Sequence, residues 1–242
     1  MNIRSLQATA PAARCSDDDH PNRVPHWDRT VKGTRMDSER DSRYFSRQEL
    51  ESMRFRHLGR NVLISRTTRI YDPEYVAIGD HSIVDDFCVL SGNLQVGRNV
   101  HIAHGCRVIA GREGVLMDDF SGLAFGVTIF AQSDDYTGEA LTNPTVPMQY
   151  RRIARARVEL GRHVIIGAGT VVFPGVMLAE GSSVGACSMV TRSTEAWAVY
   201  VGVPAKKVRE RSRRMLQLEK EYLQQEGSDD AVPAGSVVGP GA

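Results

Sequence analysis

Two of the seven histidines lie close together in the chain, in the segment Val100-His101-Ile102-Ala103-His104-Gly105-Cys106. A histidine whose pKa lies near neutrality can accept the proton that a hydroxyl or an amine loses as it attacks a carbonyl carbon. The other five are expected in a polar leader or at surface and corner positions: His20, His26, His57, His81 and His163. His101 and His104 are therefore the candidates for a general base in a group-transfer reaction.

A second group of reactive side chains lies in Ser133-Asp134-Asp135-Tyr136-Thr137-Gly138, followed by Asn143. An aspartate with an ordinary pKa of about 4 is a weak base for a hydroxyl, but it can orient a histidine or bind an amine. We therefore take Asp134 as a catalytic candidate, and Asp135, Tyr136 and Asn143 as candidates for substrate binding. The alternative is that the two aspartates only form a turn.

These residues are embedded in a pattern of aliphatic residues that recur every six positions. Neither a helix nor a single strand has this period, which is typical of a parallel β-helix. Two unbroken series carry it: Ile78, Val84, Leu90, Val96, Ile102 and Val108, then Leu160, Ile166, Val172, Leu178, Val184 and Val190. Three six-residue units close one triangular coil, and coils stack about 4.8 Å apart. The sequence thus predicts an all-β solenoid.

The direction of each side chain follows from its place in the six-residue unit. The aliphatic residue points into the core, and so does the small residue four positions later, which makes Cys88 and Cys106 predicted core residues. Because Ile102 and Cys106 both point inward, His104 should project outward from the wall.

The same pattern divides the chain into segments. The predicted segments are a disordered leader (1–42), a capping helix (43–57), the β-helix (58–201), a C-terminal helix (202–226) and a disordered tail (227–242). Ser46 and Glu49 have the spacing of a capping box at the start of the first helix. Residues 131–157 break the pattern and must loop outward, and an insertion of this length is uncommon unless it has a function.

Composition excludes several classes of partner. The chain has 242 residues and a formal net charge of +1, so nothing suggests a nucleic-acid partner. The four cysteines show no metal-ligand spacing, and we predict no metal site. No apolar run is long enough to span a membrane, and no secretion signal is evident. Unpaired core cysteines fit a reducing compartment, so we expect a cytoplasmic protein.

The C-terminal part of the pattern carries a family resemblance. The segment Val184-Gly185-Ala186-Cys187-Ser188-Met189-Val190-Thr191, together with Gly202-Val203-Pro204-Ala205-Lys206, resembles the end of hexapeptide-repeat acetyltransferases such as those of galactosides, maltose and serine. This resemblance covers about residues 45–210. The segments around Asp119, Asp134 and Asn143 look like a subgroup associated with surface polysaccharides, whose members are described as galactoside or deoxy-aminosugar acetyltransferases.

The resemblance implies more than a fold. It implies a left-handed β-helix, a homotrimer with the active site between subunits, acetyl-CoA as co-substrate and a sugar or nucleotide-sugar as acceptor. In such an enzyme Gly167, Ala168, Gly185 and Ala186 would line the pantetheine channel. The candidates for the CoA phosphates are Lys206, Lys207 and Arg209, whose alternative role is that of a solvated basic start to a helix.

The identity of the base stays open at this stage. The His101–His104 segment resembles that of the UDP-N-acetylglucosamine acyltransferase of lipid A synthesis, in which the second histidine, here His104, is the base. Galactoside acetyltransferases instead use a histidine in a loop, and that position is Asp134 in this chain. His101, His104 and the Asp134 loop therefore remain alternatives.

Two other classes of function compete with acetyl transfer. Trimeric hydratases of the γ-carbonic anhydrase type share the hexapeptide prism and hold zinc with three histidines, but His81, His101 and His104 lack their paired spacing. A non-catalytic scaffold is the other alternative, motivated by the missing loop histidine. The expected function is acetyl-CoA-dependent acetylation of a sugar hydroxyl or amine in surface-polysaccharide synthesis.

Overall fold

The computed structural model describes residues 43–229, with side chains as far as residue 226. The chain winds through about seven turns of a parallel β-helix, whose strands run from His57 to Val201. The predicted solenoid is therefore confirmed. The predicted leader, residues 1–42, lies outside the described residues, and so does the predicted tail beyond residue 229.

Each coil contributes one strand to each of three faces, and neighbouring strands of a face are parallel. The first face contains β1 (His57–Leu58), β4 (Val76–Ile78), the second halves of β6 (Val89–Val96) and β8 (Arg107–Met117), β13 (Val158–Leu160) and β16 (Met177–Leu178). The second contains β2 (Leu63–Ile64), β5 (Ile83–Val84), β7 (His101–Ile102), β9 (Gly122–Leu123), β14 (Ile165–Ile166), β17 (Ser183–Val184) and β19 (Ala198–Val201). The third contains β3 (Arg69–Tyr71), the first halves of β6 and β8, β10 (Thr128–Phe130), β15 (Val171–Val172) and β18 (Met189–Val190).

The aliphatic residues of the six-residue pattern fill the space between the faces. Every member of the two predicted series is at most 4% exposed. They stack in register from coil to coil, as Ile102 does between Val84 and Leu123. Cys88 and Cys106 are also buried, as predicted. Because each buried CH₂ group contributes about 0.8 kcal/mol, these stacks are the main source of the fold's stability.

The small polar residues that point inward satisfy their own hydroxyl groups. Ser82 donates to the carbonyl of Gly97 at 2.9 Å, and Thr170 donates to that of Gly185 at 3.0 Å. Both residues are buried, so these bonds remove the cost of an unpaired hydroxyl inside the prism. The bonds also tie one coil to the next at the corners.

The three long edges of the prism differ in the length of chain that crosses them. The helix edge separates the first and second faces, and includes residues 79–82, 97–100, 118–121, 161–164 and 179–182. The histidine edge separates the second and third faces, and includes residues 65–68, 85–88, 103–106, 124–127, 167–170 and 185–188. The loop edge separates the third and first faces, and includes residues 72–75, 91–94, 109–115, 131–157 and 173–176. The step between inward aliphatic residues exceeds six only at the loop edge, from Ile70 to Ile78, Val108 to Met117 and Ile129 to Leu160.

Two helices border the prism. Helix α1 (Arg47–Ser52) covers its lower end through buried Leu50, and Ser46 and Glu49 form the predicted capping box. Helix α2 (Met215–Asp229) lies along the helix edge, where Glu219 contacts His163 at 2.8 Å. His163 was expected at a surface or corner position; it does occupy a corner, but this helix buries it to 7% exposure. Within residues 43–229, neither helix is long and apolar enough to cross a membrane.

The C-terminal segment differs from the prediction of a helix over residues 202–226. The chain instead turns back after Val201 and forms β20 (Lys206–Glu210), which pairs antiparallel with β19. The helix begins only at Met215 and continues to Asp229. The reason is that β19 would otherwise leave an unpaired strand edge at the end of its face, which the hairpin occupies.

Candidate active site

The histidine edge carries most of the residues predicted to take part in chemistry. At each coil a corner residue donates its N–H to a carbonyl of the coil before it: Gly105 to Asp86, Gly126 to His104, Gly169 to Phe125, and Cys187 to Ala168, at 2.8–2.9 Å. These bonds align Asp86, His104, Phe125, Ala168 and Ala186 in one row. The row places the predicted base and the predicted pantetheine channel on the same side of the molecule.

Asp85 is the centre of the polar cluster at this edge. Its side chain is only 10% exposed, and its Oδ2 lies 2.8 Å from Nε2 of His101 and 3.2 Å from Nδ1 of His104. The first contact is a hydrogen bond, whereas the angle of the second is not that of one. Arg43 approaches the other carboxylate oxygen at 3.2 Å. One buried carboxylate therefore bonds to His101 and lies beside the ring of His104.

His104 projects outward, as predicted, and is 41% exposed. Its Nε2 lies 2.9 Å from Nη2 of Arg43, and its ring lies 5.7 Å from that of Phe125. A guanidinium group can only donate, so Nε2 accepts this bond and the proton of a neutral imidazole lies on Nδ1, towards Asp85. Arg43 therefore occupies the nitrogen that would take a proton from an acceptor.

Asp86 supplies a second negative charge beside this histidine. Its carboxylate accepts hydrogen bonds from Ser65 and from Thr67, the latter at 3.0 Å, and forms an ion pair with Arg43 at 2.9 Å. The pKa of Asp86 is lowered from its ordinary value, chiefly by the bond from Ser65. Asp86 is thus an anion at neutral pH, and it holds Arg43 in place.

Sequence reasoning missed Arg43, Asp85 and Asp86. A signal for Asp86 was present, because it precedes His104 by one coil of 18 residues, and residues one coil apart stack. No comparable signal exists for Arg43, which lies ahead of the first coil and reaches the site through tertiary contacts.

The upper part of the histidine edge has a narrow profile that suits a long, thin co-substrate. All residues of Gly167-Ala168-Gly169 and of Gly185-Ala186-Cys187 are small. The N–H groups of Ala168 and Ala186 make no backbone hydrogen bond within residues 43–229, and so are available to the amides of a pantetheine arm. Ala186 lies three coils above His104, which corresponds to about 14 Å.

The basic residues predicted to bind CoA phosphates lie on β20, not at the start of a helix. Lys207 forms ion pairs with Glu195 and Glu210, at 2.8 and 2.7 Å, and the bond to Glu195 raises its pKa. Lys206 and Arg209 are exposed and have no carboxylate partner within the described residues. Lys207 is therefore a weaker candidate for a phosphate than the other two.

The loop that contains Asp134 is built on a short hairpin, in which β11 (Gln132–Asp134) pairs with β12 (Ile153–Arg155). Asp134 accepts a bond from the N–H of Asn143 at 3.0 Å and one from Arg151 at 3.2 Å. Both bonds lower its pKa, the first more strongly. Asp134 therefore fastens the loop, and its low basicity argues against the catalytic role considered from the sequence.

The other candidates in this loop differ in how free they are. Asn143 uses its amide oxygen to accept bonds from Thr145, so it shapes a turn and its predicted contact with substrate has no free oxygen to use. Asp135 accepts two bonds from Thr137 with one oxygen, but its Oδ2 is buried and has no partner within the described residues. Tyr136 is 92% exposed at the outer part of the loop.

The two groups of candidates do not meet within one chain. His104 lies on the histidine edge and His101 beside it on the second face, whereas Asp134 and Asp135 belong to a loop that leaves the loop edge. The third face separates the two edges. A site that uses both groups needs the loop edge of a second copy. Within residues 43–229, no three His, Cys, Asp or Glu side chains are placed to hold a metal ion.

Comparisons with known proteins show to which family the chain belongs. The chain is 37% identical, over 182 residues, to the dTDP-4-amino-4,6-dideoxy-D-glucose acyltransferase of Escherichia coli. The aligned residues cover 74% of this chain and 94% of that protein. A putative lipopolysaccharide biosynthesis O-acetyltransferase, WbbJ of Escherichia coli K12, is 32% identical over 48% of this chain and 57% of its own length. No protein-family model matches the chain.

Solved structures of AntD, an N-acyltransferase from Bacillus cereus, superpose on the same prism. A variant of AntD in complex with dTDP and coenzyme A is 41% identical, with a TM-score of 0.74, over 75% of this chain and 98% of AntD. AntD in complex with dTDP and 3-hydroxybutyryl-CoA gives 40% identity and a TM-score of 0.75, over 77% of this chain and 99% of AntD. The prism is thus the left-handed β-helix of acyltransferases, and the chain belongs to the family of hexapeptide-repeat acyltransferases that act on sugars with acyl-CoA as co-substrate.

Proposed function

We propose that this acyltransferase transfers an acyl group from acyl-CoA to the amino group of a dTDP-linked amino-deoxy sugar. The relatives support a nucleotide-linked amine, since the Escherichia coli protein is a dTDP-4-amino-4,6-dideoxy-D-glucose acyltransferase and AntD is an N-acyltransferase crystallised with dTDP and coenzyme A. Acyl-CoA and nucleotide sugars are made in the cytoplasm, which is where the proposal places this enzyme.

The observation that carries the proposal is the unpartnered oxygen of Asp135. A buried carboxylate oxygen without a hydrogen bond is costly unless a ligand completes it. An ammonium group supplies both the missing donor and a compensating charge, whereas a sugar hydroxyl supplies only a donor. The loop therefore favours an amine as acceptor.

The proposal also requires a homotrimer. His104 and Asp135 lie on different edges of one prism, so a single chain cannot present both to one substrate. If three prisms pack side by side around an axis, the loop edge of each subunit meets the histidine edge of the next. Three equivalent sites result, each with a base from one subunit and an amine-binding carboxylate from its neighbour.

Within such a site the reaction proceeds by direct attack. The amine is held by Asp135 of one subunit and loses a proton to solvent, and its nitrogen then forms a bond to the thioester carbonyl carbon. The second proton of the nitrogen passes to Nε2 of His104 of the adjacent subunit, once Arg43 has moved from that nitrogen. The carbon–sulfur bond breaks, and the imidazolium gives its proton to the departing thiolate. The N–H of Phe125, one coil above His104 and without a backbone hydrogen bond within residues 43–229, stabilises the transient oxyanion.

A thiol-release assay tests the proposal. We expect purified enzyme with acetyl-CoA or 3-hydroxybutyryl-CoA to release CoA in the presence of dTDP-4-amino-4,6-dideoxyglucose, and mass spectrometry to show the acyl group on nitrogen. The matched control is the dTDP-sugar that carries a hydroxyl in place of the amine, which should be inert. Turnover of the hydroxyl analogue alone would contradict the proposal and favour O-acetylation. The similarity to WbbJ, a putative O-acetyltransferase, is the observation that supports this alternative.

A further inference from the structure

A groove of about 900 Å³ runs along the loop edge, on the opposite side of the third face from His104. Its walls come from four successive crossings of that edge. They include Tyr75 from the first, Asn93 from the second, Arg112 from the third, and Gln132 from the base of the Asp135 loop. Four stacked crossings span about 14 Å, so the groove is elongated along the prism axis.

The groove exists because the chain carries extra residues here. From Val108 to Met117, and from Ile70 to Ile78, the step between inward residues is longer than six, and the surplus projects outward. Arg112 and Glu113 lie at the top of one such projection, and both are exposed. Extra residues at a corner leave the packed core unchanged, so the groove adds a binding surface without disturbing the coils.

Positive charge lines the middle of the groove. Arg112 and Arg155 form no ion pair within residues 43–229, although both line the cavity. Arg56 adds a third guanidinium group, which donates to Asn93 at 2.8 Å and keeps its charge uncompensated. Two carboxylates, Asp72 and Glu113, also line the groove, so the positive charges outnumber the negative ones. Guanidinium groups bind phosphate oxygens with paired, charge-assisted hydrogen bonds, so the groove suits a diphosphate.

An aromatic ring lies at the end of the groove away from the loop. Tyr75 belongs to a 3₁₀ turn (Pro73–Tyr75), is 56% exposed and lines the cavity. An exposed ring beside a cationic surface is a common platform on which a nucleic-acid base stacks. The opposite end of the groove is formed by Gln132 and Arg155, which belong to the hairpin that carries Asp135.

We propose that this groove binds the nucleoside diphosphate half of the acceptor, with the base on Tyr75 and the diphosphate on Arg112 and Arg155. The identity of the ligand rests on the proposed function, whereas the location rests on the groove itself. The sugar then extends past Gln132 to the loop, where its amine reaches Asp135. The subunit that supplies Asp135 thus also holds the nucleotide, and the neighbouring subunit supplies His104 and the pantetheine channel.

Calorimetric titration of the full-length protein with dTDP, inorganic pyrophosphate and CoA tests the location. We expect Arg112→Gln and Arg155→Gln each to raise the Kd for dTDP at least about tenfold, the usual effect of losing one hydrogen bond to a charged group. The Kd for CoA should not change. Arg112 is exposed and forms no ion pair within the described residues, so its substitution should leave folding intact. The matched control is Arg192→Gln, which removes an exposed arginine from the far end of the same edge.

One further variant separates the contribution of the nucleic-acid base to binding from that of the diphosphate. Tyr75→Leu should weaken the binding of dTDP but not that of pyrophosphate, because only the nucleoside stacks on the ring. If Tyr75→Leu has no effect on either ligand, the groove is only an anion site and the proposal is wrong. If dTDP binds wild type and both arginine variants equally, the nucleotide lies elsewhere and the groove proposal fails, while the proposed function stands. If wild type binds no dTDP and acylates no dTDP-aminosugar, both proposals fail.

Discussion

The histidine edge and the loop edge are built from the same coils, but they respond differently to extra residues. Every crossing of the histidine edge keeps the six-residue step, so its corner residues form a straight row from Asp86 to Ala186. Three crossings of the loop edge are longer, and one of them contains the whole loop 131–157. A straight row suits a co-substrate that every family member shares, whereas variable corners suit recognition of a particular acceptor.

Two glycines show how the constraints on a packed coil differ from those on the projecting loop. A Cβ atom on Gly167 would lie 2.4 Å from the backbone nitrogen of Ala186, and there is no side chain that could move aside. At the loop, a Cβ on Gly138 would meet nothing within 4 Å. An added methyl group is therefore opposed by the neighbouring backbone at Gly167, and only by local conformation at Gly138.

The largest expected effect comes from removing the proposed base. His104→Ala should lower the rate of acyl transfer at least about a hundredfold, the usual contribution of a general base, with the KM for acyl-CoA little changed. The matched control is His57→Ala, which removes an exposed histidine of β1 on the first face and should retain activity. Near wild-type turnover in His104→Ala would show that His104 is not the base and would favour His101 or the Asp134 loop.

The two glycines provide a direct comparison of stability. Gly167→Ala should lower the free energy of unfolding by about 2–3 kcal/mol, because the new methyl group meets backbone. Gly138→Ala should cost only about 1 kcal/mol, the strain of a left-handed φ of +87° in an open position. Thermal unfolding of the two variants measures the difference. Equal melting temperatures would contradict the idea that the coil at Gly167 is more tightly packed than the loop at Gly138.

A smaller effect is expected from weakening the hydrogen bonds by which Asp134 fastens the loop. Asp134→Asn should raise the KM for the acceptor about tenfold and leave that for acyl-CoA unchanged, because it weakens the bond to Arg151 without touching the histidine edge. Since the native pKa of Asp134 is below 3.8, its stabilising effect is complete above that pH and is lost as the pH falls through the native pKa. Hydrogen-exchange protection factors of residues 131–157, corrected for intrinsic exchange, should therefore be high at pH 5 and should fall as the pH is lowered through the native pKa. A loop without protection at pH 5 would contradict this role of Asp134.

The smallest effect separates the basic residues of β20. Lys207→Gln should change the KM for acetyl-CoA by less than about twofold, because this ammonium group is already paired with Glu195 and Glu210. Arg209→Gln, which removes an exposed cation from the same strand, is the matched comparison and should have the larger effect. A stronger effect at Lys207 would show that it exchanges its carboxylate partners for a phosphate.

The sequence predicts those parts of the molecule that depend on a period. The six-residue step locates the faces and the core, and gives the outward direction of His104 correctly. Contacts between distant segments have no such signal: Arg43 reaches His104 across 61 positions, and Glu219 buries His163 across 56. The roles within the loop were likewise inaccessible, since Asp134 and Asp135 are neighbours of the same type and only the contacts with Asn143 and Arg151 distinguish them.

The most direct test of the central claim is subunit complementation. We expect His104→Ala and Asp135→Asn subunits to be nearly inactive when each is expressed alone. When the two are co-expressed and purified through different tags, a mixed trimer contains one site with an intact histidine edge and an intact loop, and activity should return to about one third of wild type in such trimers. Mixed oligomers no more active than the single variants would show that the two edges do not meet across subunits.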